Sequence, residues 1–198
     1  MQSIQSPARP GVPCAGTAGP KHGWPSMTDY SKLPLRDDGG HVHVVVETPR
    51  GGRVKYKYDP ALEAFALGRP LEDGLAYPFD WGFVPQTQGP DGDPLDAMIL
   101  HDVATFPGLV VPSRPVAVLE VRQTEHGKTI RNDRVLFTPA KSHGQTDLDT
   151  DRKRQLEAFF LGAVVGTGKK LEFLGWGDAG AAEEEIERAA RRFRDKPD

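Results

Sequence analysis

Cysteine is nearly missing from this chain. Cys14 is the single one among 198 residues, so no internal disulfide can form and a small oxidised scaffold is excluded. Long apolar runs are missing as well: none approaches the roughly 20 residues of a membrane span, and the first 30 residues lack the apolar core of a secretory signal. Neither charge sign is in large excess. A formal net charge of −3 argues against nucleic acid or an anionic membrane as the main partner. There is no internal repeat, and the length suits one sizeable core rather than two full domains. Together these absences lead to the expectation of a single-domain cytoplasmic protein.

Proline and glycine are plentiful, but unevenly placed. Residues 1–36 are rich in Pro, Gly, Ser and Ala with no apolar periodicity, and read as a flexible arm ahead of a domain over 37–198. The run that begins at Met27, MTDYSKLPLRDD, has the look of a natural start. Residues 1–26 are therefore expected to come from an upstream start assignment; the intact mass of the native protein checks this, and a species retaining Met1 or Gln2 refutes it.

From His41 onward short β-like segments appear. Residues 42–47 are rich in β-branched side chains, and residues 53–58 alternate polar with apolar, the period-2 pattern of a half-buried strand. Arg50-Gly51-Gly52 between them predicts a hairpin. Residues 63–71 predict a short pair around Gly68, with Arg69 on an edge or loop. Residues 110–111 and 116–121 predict a long strand bent near Pro112 and Pro115. A polar turn at Gly127 and a strand over 134–138 follow. Helices come late. Asp149 or Asp151 caps one with Leu156, Phe159, Phe160, Ala163 and Val164 on one face, ended by Gly166. After a strand over 170–174, Asp178 caps another, with Ala182, Ile186, Ala189, Ala190 and Phe193 inward and i,i+4 pairs Glu184–Arg188 and Glu187–Arg191 outward. The pattern predicts an α+β domain, a small antiparallel barrel or strongly bent sheet flanked by two main helices.

The chemistry concentrates in residues 77–100, YPFDWGFVPQTQGPDGDPLDAMIL. Asp91, Asp93 and Asp96 lie within six residues, and three carboxylates that close disfavour joint ionisation unless a cation lies between them. Gly92 permits a sharp turn and Pro94 fixes the next φ, so the side chains can converge. Hard oxygen donors with no nearby cysteine or paired histidine favour Mg²⁺ or Mn²⁺ over zinc or copper. An EF-hand is excluded, because Leu95 stands where the third loop ligand belongs. A haloacid-dehalogenase arrangement needs a buried strand directly before the first Asp, and Gln86-Thr87-Gln88-Gly89-Pro90 is not one. The plain alternative is an Asx-rich surface turn; Asp96 and the aromatic residues ahead of the cluster weigh against it.

YPFDWGFVPQT followed by DGDPLDAMIL resembles the signature of the soluble family I inorganic pyrophosphatases, Tyr-Pro-x-x-Tyr-Gly-aromatic and then Asp-x-Asp-Pro-x-Asp-hydrophobic. Val46-Glu47-Thr48-Pro49, Lys55-Tyr56, Arg69 and Gly175-Trp176 extend the likeness from about residue 42 to 193. The resemblance implies an OB-like β-barrel and Mg²⁺-dependent hydrolysis of pyrophosphate to two phosphates, in the cytoplasm, by a homo-oligomer. It implies that Asp91 and Asp96 ligate metal and that Asp93 orients and deprotonates the attacking water. Lys55, Arg69 and Arg134 would hold the phosphates, and Glu47 would face the outer metals.

The chain also departs from that pattern. Lys57 replaces a metal-facing carboxylate and is expected to meet a phosphate instead. Trp81 replaces a phenol at a substrate-binding position. Asn132 stands at a metal-binding Asp position, with Asp133 as a candidate to shift into its place. Another metal-binding Asp falls near Gln123 or Glu125. The phosphate-binding Tyr-Lys pair aligns with Ala163-Val164. These changes keep two other readings open: a catalytically weakened homologue that binds metal and phosphate, and a hydrolase shifted to a larger phosphorylated substrate. Elsewhere, His41 and His43 are expected to face solvent, Trp176 and Phe159-Phe160 to anchor the core, and Arg191, Arg192 and Arg194 to form a solvated helix face.

Overall fold

The computed structural model describes residues 29–103, 105–141 and 148–196; the expectations for residues 1–28, including the start at Met27, lie outside them. The elements are β1 (Val42–Thr48), β2 (Val54–Asp59), β3 (Ala64–Pro70), β4 (Asp80–Val84), β5 (Leu95–Ile99), β6 (Val110–Glu125), β7 (Lys128–Arg131), β8 (Arg134–Pro139), α1 (Thr150–Ala163), β9 (Lys170–Gly177) and α2 (Ala179–Arg194). Strands pair in the order β1-β4-β5-β8-β6, and β6 pairs back onto β1. Five strands thus close on themselves, which removes exposed edges and gives the expected OB-like barrel. All of these ladders are antiparallel except β5 with β8. β7 and β9 extend β6 beyond the ring. The long β6 changes register between Pro115 and Ala117, the bend that its prolines predict.

Strand periodicity sorts the barrel's two faces. Val42, Val44, Val46, Leu95, Ala97, Ile99, Val135 and Phe137 form one fully buried cluster, against which α2 lays Ala182, Ile186 and Ala189. The alternate residues face outward. Met98, Leu119, Val121 and Leu136 meet Leu156, Phe159 and Phe160 of α1, while Val45 and Phe83 meet Tyr58 and Phe65 from the β2–β3 ribbon. Asp96, between Leu95 and Ala97, and Arg134, before Val135, share this outer parity. The barrel wall between α1 and the ribbon is therefore where polar side chains gather.

Several sequence expectations change. β1 and β2 are not a hairpin, since β2 pairs with β3. Side chains of β1 take over the missing ladder: Tyr56 N–H donates to Thr48 Oγ1 (2.9 Å) and Tyr58 N–H to Glu47 Oε1 (2.8 Å). Residues 64–70 form one strand and not a pair, with Gly68 and Arg69 inside it. Residues 29–36, assigned above to the arm, join the fold: Tyr30 packs edge-on against Tyr58 and Phe65, Leu35 packs on the barrel core, and Arg36 ion-pairs with Glu183 and Glu187. Glu187 thus reaches Arg36, while Glu184 keeps its pair with Arg188 at 3.7 Å. Phe193 is 39% exposed, whereas Glu185 joins the buried face of that helix, held by Arg188 and Arg192 at 2.8 Å each. Asp149 and Asp178 are the two N-caps, as expected.

One glycine in the barrel is required by contact. A Cβ on Gly82 would lie 1.8 Å from the Val45 carbonyl oxygen, so β4 can approach β1 here only without a side chain.

Candidate active site

The acidic turn between β4 and β5 is pinned at both ends. Thr87, buried, donates its hydroxyl to Val84 O (2.6 Å) and accepts from Leu95 N–H (2.9 Å). Gly89 N–H donates to Asp93 O (2.7 Å), Asp93 N–H to Asp91 Oδ1 (3.2 Å), and Gly92 takes φ +92° at the apex, a conformation open to glycine. α2 holds the turn from behind: Gln88 N–H donates to Ala189 O (3.0 Å) and Arg192 Nε to Gln88 O (2.7 Å). Arg192, expected on a solvated face, is thus a structural tie between α2 and the acidic turn.

Around this turn opens a cleft of about 140 Å³. Asp91, Asp93, Asp96 and Asn132 line it together with Lys55, Arg69, Arg134 and Trp81. Each carboxylate has its own partner. Asp91 Oδ2 accepts from Asn132 Nδ2 at 2.9 Å, Asp93 Oδ2 accepts from Lys57 Nζ at 2.8 Å, and Asp96 Oδ2 pairs with Arg134 at 2.8 Å. Drawn to three different donors, they do not converge: among the described residues no three His, Cys, Asp or Glu side chains form a ready cation cage. The donor set still suits a hard divalent ion, being carboxylate and amide oxygen with no sulfur or imidazole among the cleft residues. Burial, then the neighbouring Asp96 charge, raises the Asp91 pKa, a penalty that a bound cation would relieve.

Glu47 does not line the cleft. It sits behind the β2 strand, 7% exposed, and burial pushes its pKa up to about 7 despite the Tyr58 N–H and nearby Lys55, with Asp96 adding repulsion. Lys57, on β2, is a neighbour of Glu47. Burial opposes its charge, but the bond to Asp93 and the negative charge of Asp93, Glu47 and Asp96 outweigh it and raise its pKa.

Arg134, buried, is the most constrained cation. Its guanidinium donates to Asn132 O (2.6 Å) and to Gln123 Oε1 (3.3 Å), pairs with Asp96 and lies 5.8 Å from the centre of the Trp81 ring, a cation–π stack. Arg69 is fixed by donation to Pro70 O (3.2 Å) and to Ala163 O. Trp81 keeps a donor in place of the lost phenol, but its indole N–H is buried without a partner.

The two acidic substitutes considered for lost ligands are engaged elsewhere. Asp133 accepts from Val121 N–H (2.8 Å) and Arg131 Nε (2.6 Å), and Glu125 pairs with Lys169 at 3.1 Å. Gln123, buried, faces the cleft where a carboxylate was sought. Phe159 and Phe160 are core residues, as expected, and also form a cleft wall with Ala163 and Val164. Sequence reasoning did not place Tyr77, Thr167 and Lys169 as lining residues. Tyr77 stood inside the recognised motif; Lys169 had no local pattern to mark it, lying in a Gly-rich loop after α1. Burial, then Asp96, raises the Tyr77 pKa and keeps the phenol protonated.

The chain is similar to known proteins over most of its length. The chain is 35% identical to the inorganic pyrophosphatase of Synechocystis sp. over 172 residues, 84% of this chain and 99% of that one. It is 36% identical to the Halobacterium salinarum inorganic pyrophosphatase over 155 residues, 75% and 85% of the two chains. The crystal structure of inorganic pyrophosphatase from Thermus thermophilus superposes with a TM-score of 0.75 at 32% identity, covering 84% of this chain and 99% of that one. The family model described as inorganic pyrophosphatase matches residues 44–194. Every carboxylate and cation of the cleft falls inside that span, and the chain belongs to the inorganic pyrophosphatase family.

Proposed function

We propose that the protein hydrolyses inorganic pyrophosphate to two phosphates, with Mg²⁺ as the metal and Mn²⁺ as a substitute. One observation carries the reading: three carboxylates and the cations Lys55, Arg69 and Arg134 line one small cleft on the barrel wall. Phosphoryl transfer needs placement and charge neutralisation more than covalent help, and this cleft supplies both signs of charge side by side. Enzymes of this family are metal-dependent. Asp91 and Asp96 would hold the metal, Asp93 and Asn132 would border it, and Glu47 would face it from behind β2. When bound, such an ion acidifies a coordinated water and neutralises phosphoryl oxygens.

The chain's own residues do the remaining work. Asp93 lies on the open side of the turn, with one oxygen held by Lys57 and the other available to take the proton of the attacking water. Arg134 is preorganised by its carbonyl, carboxylate and indole contacts, so it presents a fixed fork to one phosphate without reorganising. Lys55 and Arg69 meet the other phosphate group. Lys57 competes with metal for Asp93, and it offsets part of the lost carboxylate by meeting a phosphate oxygen directly.

Phosphate release from pyrophosphate with Mg²⁺, wild type against Asp93→Asn, tests the reading: rapid turnover that the variant loses supports it. A weakened, binding-only homologue is the second reading, favoured by the apolar α1 wall of Phe159, Phe160, Ala163 and Val164; it predicts no turnover in either protein with Mg²⁺ binding intact. A larger phosphorylated substrate is the third reading, and a preference for a nucleotide or sugar phosphate over pyrophosphate would favour it. Among the described residues no helix is long and apolar enough to cross a membrane. A cytoplasmic location, suggested by the lone Cys14, and a homo-oligomeric state belong to the same proposal; light scattering on the purified chain checks the latter.

A further inference from the structure

We propose that Lys169 is a substrate-binding residue, which takes a phosphate group on the α1 side of the cleft and is parked on Glu125 between substrates. The hydrolase reading supplies the identity of the anion; the position of the cation stands independently of it. Lys55, Arg69 and Arg134 reach the cleft from β2, β3 and β8, so three cations come from the barrel and ribbon. The α1 wall contributes Phe159, Phe160, Ala163 and Val164, none of which can meet an oxyanion. Lys169 is the remaining cation among the cleft-lining residues, and it stands on that apolar side.

The loop that carries it is built. Thr167 donates its hydroxyl to Val164 O (2.6 Å), and Lys169 N–H donates to Thr167 Oγ1 (3.2 Å). Gly166 and Gly168 take φ values of +73° and +76°, which favour glycine. The backbone of Lys169 is thereby anchored while its four-carbon stem remains free to swing. Its partner is weakly bound: Lys169 Nζ and Glu125 are 3.1 Å apart, with side chains 36% and 35% exposed. A pair this open is screened by water, and a phosphate carrying more than one negative charge is the stronger partner. Lys169 also borders a second hollow, lined by Glu125 and His126, that shares Asp91 and Asp93 with the cleft. Moving Nζ from Glu125 to a phosphate keeps it on the same wall.

The competing account makes the pair a latch between the β6–β7 turn and the loop after α1. A latch is broken equally by losing either partner, whereas a parked substrate ligand gives effects of opposite sign. On the full chain we would measure KM and kcat for pyrophosphate with Mg²⁺ and, without need of turnover, calorimetric binding of inorganic phosphate with Mg²⁺. Lys169→Met is expected to raise KM and weaken phosphate binding roughly tenfold, about one charge-assisted contact, with the melting temperature unchanged. Glu125→Gln is expected to strengthen phosphate binding about two- to threefold, and Lys169→Arg to restore much of the loss. Unchanged KM and phosphate affinity in Lys169→Met overturn the proposal, as do same-sign shifts with equal thermal destabilisation in both single variants. If wild type binds phosphate but does not turn over pyrophosphate, the hydrolase reading falls and the binding series alone decides Lys169. Absence of phosphate binding by wild type overturns the Lys169 role too.

Discussion

Lys57 competes with metal for Asp93, and removing it should tighten Mg²⁺ binding. Its Nζ lies 2.8 Å from Asp93 Oδ2, with side chains 53% and 57% exposed. Two unit charges about 4 Å apart in water attract by about 1 kcal/mol, and exposed pairs typically retain roughly 0.2–1 kcal/mol of that. Lys57→Met should therefore lower the Mg²⁺ Kd by up to about fivefold, since 1.4 kcal/mol is tenfold. Lys57→Glu, which also adds a carboxylate, should lower it by about the square of that factor, roughly 25-fold. Titration calorimetry at low and high salt reads both, and the gap between variants should shrink at 1 M salt, where the screening length falls to about 3 Å. The pH dependence follows from the raised Lys57 pKa. The amine stays charged to above its ordinary value near 10.5, so the wild-type handicap persists through neutral and mildly alkaline pH. It disappears only as pH rises through the folded-state value. Unchanged Mg²⁺ affinity in both variants would refute the assignment of Lys57 to the metal cluster, and weaker binding in Lys57→Met would reverse it.

Three further outcomes are expected. In metal-free protein, burial raises the Glu47 pKa to about 7 from an ordinary 4.5, so the folded state holds its proton more tightly than the unfolded chain. The stabilisation is complete below pH 4.5 and lost as pH rises through 7, on the order of 3 kcal/mol in total; thermal melts of wild type and Glu47→Gln in chelator should show the variant with the shallower slope. Gly82→Ala places a Cβ 1.8 Å from Val45 O and should cost about 3 kcal/mol or more in denaturant unfolding, the upper range for overpacking. Arg192→Ala removes the bond to Gln88 O and one partner of buried Glu185. It should destabilise by about 1–3 kcal/mol and lower kcat more than KM is raised, whereas an equal fall in stability with unchanged kcat would show that the tie does not position the acidic turn.

The elements with strong local signals were legible: β1 in its valines, β5 in Ala97-Met98-Ile99, and both helix starts in Asp149 and Asp178. Pairing was not. β1 joins β6 across more than 60 positions of sequence, and nothing between Arg50 and Gly52 distinguishes a hairpin from a crossover in which Glu47 and Thr48 side chains replace the ladder. β4 was hidden by the flanking Pro78 and Pro85 and by Gly82, which lowers strand propensity while enabling the close approach to β1. The site shows the same division. Asp91, Asp93 and Asp96 reach the cleft through one turn and were readable as a motif. Arg192 and Lys169 reach it from α2 and from the loop after α1, and a helical charge run or a Gly-rich loop does not reveal what it packs beside. Phe159 and Phe160 were read as core from their period, and periodicity cannot show that a core face is also a cleft wall.

Three of the departures from the family pattern share a direction. Lys57, Asn132 and Gln123 each stand where a carboxylate was expected, so the cleft has lost negative charge at three positions while Asp91, Asp93 and Asp96 remain. Fewer carboxylates hold fewer divalent cations, because each cation's desolvation must be offset by fixed negative charge. The neutralisation of a diphosphate has then to come from side chains, and the cleft is supplied with them: Lys55, Arg69, Arg134 and Lys169 line it, and Lys57 adjoins it. These five are not equivalent. Arg69 and Arg134 are fixed by carbonyls and carboxylates and give direction, while Lys57 and Lys169 are each held by one exposed carboxylate and give exchangeable charge. Activity should accordingly need fewer bound Mg²⁺ ions and fall more steeply with added monovalent salt once metal is saturating, since screening acts on exposed lysines far more than on a buried Arg134. Steady-state rates across a Mg²⁺ series at 0.05 and 0.5 M KCl measure this: a rate insensitive to salt at saturating Mg²⁺ would mean that metal, and not lysine, carries the neutralisation.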